Sequence, residues 1–86
     1  MKINQVLSFI ELEAKVGEKG EYKDKPYFQL KLFDEEENQV MVFFITDKKE
    51  LCEKLSKLKK HEMYEFVLNL RKSKYGYDLL AQDVII

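Results

Sequence analysis

The residues able to do chemistry in this chain are aromatic and basic, and they gather in a few places. Lys19, Tyr22, Lys23 and Lys25 share one polar stretch; Tyr27, Lys31 and Phe33 follow at alternating spacing; Arg71, Lys72, Lys74, Tyr75 and Tyr77 form a late cluster. Phe43 lies beside Phe44 in an apolar run. Lysine and arginine neutralise phosphates, and an aromatic face stacks on any base at roughly 1–3 kcal/mol per base. Interleaved, the two residue types suit a polyanion whose bases are unstacked.

Other chemistry is thinly represented, and the reading is of a protein that is not an enzyme and has no cofactor. His61, the only histidine, lies in Lys59-Lys60-His61-Glu62 just past a helical segment, where a capping or solvent-exposed role is the simpler reading than a general base. Cys52, the only cysteine, borders an apolar helix face as a small buried or half-buried residue. No Cys/His cluster has metal-ligand spacing. Gly17-Glu18-Lys19-Gly20 lacks the second half of a phosphate-binding glycine loop, and the acidic run Asp34 to Glu37 reads as a solvated turn rather than an acid-base pair.

The elements that must position these residues are mostly strands. Residues 3–16 alternate with a change of phase: Leu7 and Phe9 share one face, then Ile10, Leu12, Ala14 and Val16 share the next, which predicts a bend or bulge near Phe9-Ile10. Gly17 to Pro26 is a loop with two glycines and the only proline. Tyr27 to Phe33 alternates cleanly, with Phe28, Leu30 and Leu32 toward the core and Tyr27, Gln29, Lys31 and Phe33 outward. After the acidic turn, Gln39 to Thr46 has two apolar faces, Val40/Val42/Phe44 and Met41/Phe43/Ile45, so either both are buried or one is an exposed binding surface.

Leu51, Leu55 and Leu58 recur at helical spacing and predict a helix over residues 48–60, opened by an Asp47/Glu50 capping box and closed by Lys57, Lys59 and Lys60. Met63 to Arg71 is a fourth strand with Tyr64, Phe66, Leu68 and Leu70 on one side, and Tyr77 to Ile86 a fifth whose facing stays open.

Composition sets bounds on partners and compartment. At 86 residues the chain is one domain over residues 1–86. Its 15 basic and 16 acidic residues give a net charge of -1, which argues against a polybasic coat protein or a membrane-surface binder. The longest apolar run, Val40 to Ile45, falls far short of the ~20 residues a membrane-spanning helix needs, so no membrane partner is expected. Glu11 and Glu13 interrupt what would otherwise be a signal-peptide core, and a single cysteine suits a reducing cytoplasm.

Three strands, a helix and two strands, with a long bent first strand, resemble the OB-fold proteins that bind single-stranded DNA. The likeness spans the whole chain, through Phe28-Gln29-Leu30-Lys31-Leu32-Phe33-Asp34, Val40-Met41-Val42-Phe43-Phe44 and Tyr75-Gly76-Tyr77-Asp78-Leu79-Leu80 to Ile85. It departs from many OB-folds in having no glycine at the first-strand bend. The resemblance implies a mainly β fold, a five-stranded Greek-key barrel with one α-helix between strands 3 and 4.

It also implies binding across strands 2 and 3 between the 1-2 and 4-5 loops, hence through Lys23, Lys25, Tyr27, Lys31, Phe33, Phe43, Arg71, Lys72, Lys74, Tyr75 and Tyr77. The expected partner is single-stranded DNA, with RNA as the other polymer, bound with little sequence preference. One barrel covers few nucleotides, so several copies in a homo-oligomer would raise affinity. Such a compact binder suits replication in a phage, plasmid or other mobile element. The alternative is a protein-docking module, with Phe33 and Phe43 as apolar anchors and the acidic turn as a steering charge.

Overall fold

The computed structural model describes residues 1–46 and 48–86, with only the backbone of Tyr22. These residues form five antiparallel strands and one α-helix: β1 (Lys2–Val16), β2 (Pro26–Asp34), β3 (Gln39–Ile45), α1 (Lys49–Leu55), β4 (Met63–Ser73) and β5 (Gly76–Ile85). The fold is mainly β, a single sheet in the order β3-β2-β1-β4-β5. The sheet curls until its edges, β3 and β5, approach one another. Between those edges the hydrogen-bonded ladder stays open among the described residues.

The phase change in β1 is a bulge. Pairing with β2 steps from Phe9 opposite Leu32 to Glu11 opposite Lys31, leaving Ile10 as the extra residue. That one residue lets Leu7 and Phe9 before it, and Leu12 after it, all pack on the core. Before the bulge β1 pairs with β4, from Lys2 opposite Asn69 to Ser8 opposite Met63. The bend occurs without glycine, because the incoming chain clamps it: Phe9 N–H donates to the Glu62 carbonyl at 2.9 Å, and His61 N–H to the Phe9 carbonyl at 2.7 Å.

A second bulge resolves the facing of β5. Opposite β4, the register steps from Val67/Asp83 to Leu68/Ala81, so Gln82 is the extra residue. Ala81 and Val84, three apart, therefore both reach the core, and Leu80, beside Ala81, is half-buried. This is why both alternation sets of that strand are apolar.

The helix is shorter than its leucine spacing predicts, ending at Leu55 rather than Lys60. The Ser56 hydroxyl donates to the Glu53 carbonyl at 2.7 Å, and Lys57 and Leu58 N–H groups donate three residues back, to Lys54 and Leu55. Serine back-bonding and tighter winding end the α geometry while keeping Leu58 against the core. The Lys59 N–H then finds the Tyr64 hydroxyl at 2.9 Å, and His61, at φ +69°, turns the chain into β4. The expected Asp47 cap lies outside the described residues.

The acidic turn is only partly solvated. Asp34 is buried, and its carboxylate accepts from Gln5 Nε2 at 2.9 Å and from the Glu36 and Glu37 N–H groups at 3.1 and 3.2 Å. It thus closes the β2–β3 turn as a structural group. No described helix is long and apolar enough to cross a membrane.

Leu51 and Leu55 carry the helix's packing into the core, and Leu55 has no exposed surface. Leu55→Ala is expected to cost about 2–5 kcal/mol in a denaturant-unfolding measurement, the transfer loss plus a cavity. On the outside, Lys54 Nζ lies 3.0 Å from Asp83 Oδ1, tying helix to β5. That bond, with one from the Val84 N–H, holds the Asp83 carboxyl below the usual aspartate range. A depressed pKa contributes stability that is present above the unfolded value of ~3.9 and is lost as pH falls through the folded value. Unfolding midpoints of the wild type and Asp83→Asn are therefore expected to differ slightly at neutral pH, converge in acid, and close up in high salt.

Candidate nucleic-acid interface

Strand pairing decides which aromatic side chains face out. Leu30 is opposite Phe43 in the β2–β3 ladder, and directly opposed residues share a face. Phe43 is therefore in the core, 4% exposed, and is not the outward aromatic expected from the sequence. The next position takes that place: Phe44, opposite Gln29, is 63% exposed. Its ring meets Tyr27 edge to face, with centroids 5.8 Å apart and planes at 66°. Val40 and Val42 continue the exposed row along the same edge strand.

Tyr27 and Phe44 wall a cleft of about 450 Å³ at the open seam of the sheet, with Gly17, Thr46, Arg71 and Leu80 completing it. It is built from the neck of the β1–β2 loop, the ends of β2 and β3, and the base of the β4–β5 hairpin. The neck is fixed by Gly17 N–H donating to the Lys25 carbonyl at 3.0 Å and Asp24 N–H to the Gly17 carbonyl at 2.9 Å. Lys23 and Lys25 are exposed on that loop. Glu18, Glu21 and Asp24 match Lys19, Lys23 and Lys25 within it, so the loop carries little net charge.

Positive charge is concentrated instead on the β4–β5 hairpin. Arg71, Lys72 and Lys74 are exposed there against Asp78 alone, which lies opposite Arg71. Tyr75 and Tyr77 extend from the same hairpin, 93% and 71% exposed, and Lys74 Nζ sits 5.9 Å from the Tyr75 ring centroid. The turn is tightened by Tyr75 N–H donating to Ser73 Oγ at 3.3 Å, and Gly76 adopts φ +126°, a region that favours glycine.

Two other expected residues lie apart from this cleft. Lys31 Nζ is 3.1 Å from Glu11 Oε1, its cross-strand neighbour, so its charge is already compensated. Phe33 is half-buried at the far end of β2, in a separate cleft with Ser8, Ile10, Glu35, Asn38 and His61. The site thus joins Tyr27 and Arg71 from the expected set with Phe44, Thr46 and Leu80, which sequence reading passed over. Phe44 had a signal in the turn: once Asp34 opposes Gln39, the count back along the hairpin sets Phe43 against Leu30. Among the described residues no group of three His, Cys, Asp or Glu side chains is placed to hold a metal ion.

No protein-family model, curated protein or solved structure matches this chain.

Neighbouring phenylalanines provide a direct check on this geometry. Phe43→Ala is expected to cost about 3–5 kcal/mol of stability. Phe44→Ala should cost under about 1.5 kcal/mol, the scale of one aromatic pair. Paired urea titrations would measure both, and equal costs would contradict the assigned register.

Proposed function

We propose that the curled sheet is an OB-type barrel whose β3–β5 seam carries no ladder, and that the protein binds single-stranded nucleic acid there without catalysing a reaction. DNA is the polymer we propose first, bound with little sequence preference. The observation that carries the reading is Phe44: a phenylalanine 63% exposed, stacked edge-on against Tyr27, at the mouth of a cleft that also holds Arg71. Fold stability gives little reason for such a ring in water, whereas an unstacked base supplies the missing apolar face.

Support also comes from where the cations lie. The hairpin carrying Arg71, Lys72 and Lys74 borders the aromatic wall, so a strand could set bases on Tyr27 and Phe44 and phosphates on the hairpin. Glu11 and Glu13 on the outward side of β1 are paired with Lys31 and Lys15, so that face offers a phosphate less free positive charge than the hairpin does. Tyr75 and Tyr77 supply further stacking faces at the hairpin tip.

A second reading has its own observation, the row Val40, Val42 and Phe44 on an edge strand, which would suit an apolar protein surface. Titration of single-stranded oligonucleotides across salt concentrations separates the two. On the nucleic-acid reading, Phe44→Ala and Tyr27→Ala each lower affinity by roughly 1–3 kcal/mol and leave the salt slope unchanged, because an aromatic ring displaces no counterion. Arg71→Ala or Lys74→Ala weakens binding to every sequence and flattens the slope by about 0.7. Tighter binding to duplex, or affinity indifferent to all four substitutions, would rule the reading out in favour of protein docking.

A further inference from the structure

A second cleft, of about 570 Å³, opens beside the first, between α1 and the end of the β1–β2 hairpin. The two share Tyr27 and Thr46 as a common wall. The floor of the second is apolar, made by Leu12, Ile45, Cys52 and Phe28. Phe28 occupies a core-side position of β2, opposite the buried Ile45, yet 36% of its surface stays exposed. The helix borders this end through Lys49, Cys52 and Glu53 and leaves part of Phe28 uncovered.

Lysines 48 and 49 stand on the rim of this cleft, with Glu53 as the acidic group among its described lining residues. Lys48 Nζ donates to the Ala81 carbonyl at 3.2 Å, and a lysine ammonium has further N–H donors to offer. An aromatic and apolar floor under a lysine rim repeats, on the other side of Tyr27, the combination found in the first cleft.

We propose that this cleft is a second nucleotide subsite, occupied by the continuation of the same bound single strand. The base enters against Phe28 and Cys52, and its phosphate lies on Lys49, so the strand passes over Tyr27 from the β4–β5 hairpin toward α1. The inference rests on the single-strand reading above and extends the footprint beyond the sheet face to the start of the helix. Charge complementarity and the shared Tyr27 wall select this occupant.

Cys52, the chain's only thiol, is a built-in reporter because it forms part of the floor. Alkylation of the intact protein by N-ethylmaleimide, followed by mass spectrometry, would be timed with oligodeoxythymidylates of about four and about twelve nucleotides, the range one barrel covers. The longer strand is expected to slow alkylation several-fold and the shorter one to leave it unchanged, although both bind. Lys49→Ala, a surface change compatible with the helix, should weaken binding of the longer strand alone and lift its protection of Cys52. If both lengths bind but neither protects Cys52, or Lys49→Ala weakens both equally, the second subsite is disproved while the single-strand reading stands. If neither length binds, that reading fails and takes the subsite with it.

Discussion

The structure depends on β1 being shared between two hairpins. One strand has to pair with β2 along its second half and with β4 along its first, while keeping a single face on one core. A flat strand of 15 residues could not follow that curvature, and a simple bend without an added residue would throw Leu12 to the opposite side from Phe9. The extra residue at Ile10 meets both conditions. Its cost, a broken stretch of ladder, is offset by the two backbone bonds that the 61–62 segment makes to Phe9.

Much else follows from that clamp. Residues 61 and 62 have to arrive at Phe9, so the chain leaving β3 has only a short path in which to cross the core. It spends that path on two buried leucines, Leu51 and Leu55, and then unwinds through tight turns to His61. At the other end of the sheet α1 only borders Phe28, and a cleft stays open there.

The sequence was legible wherever a periodicity had one interpretation. The order of strands along the chain, the bulge near Phe9-Ile10 and the core face at Leu30 and Leu32 all came from alternation. Legibility failed where both faces were apolar. Gln39 to Thr46 needed a cross-strand register to separate Phe43 from Phe44, and Tyr77 to Ile86 needed the bulge at Gln82, for which a lone glutamine gives no local signal. The helix was overestimated because leucine spacing cannot tell α from tighter winding over its last turn. Charged residues were read by count, and their pairing emerged only in space: Lys31 is taken by Glu11, and Asp34 is buried under Gln5.

That spatial pairing bears on how a chain with net charge -1 could hold a polyanion. At physiological ionic strength charges act over roughly 8 Å, so the sum over the molecule matters less than the sum within each patch. Asp34 faces inward, and on β1 Glu11 lies beside Lys31 of β2 and Glu13 beside Lys15. The acidic groups of the turn and of the β1 face thus have partners within the fold, whereas the β4–β5 hairpin keeps three cations against one aspartate. Under the proposed reading a single strand would meet a locally positive, aromatic edge on a nearly neutral protein. Its affinity would then come from few phosphates and several stacked bases, and its salt dependence would be shallow for a nucleic-acid binder.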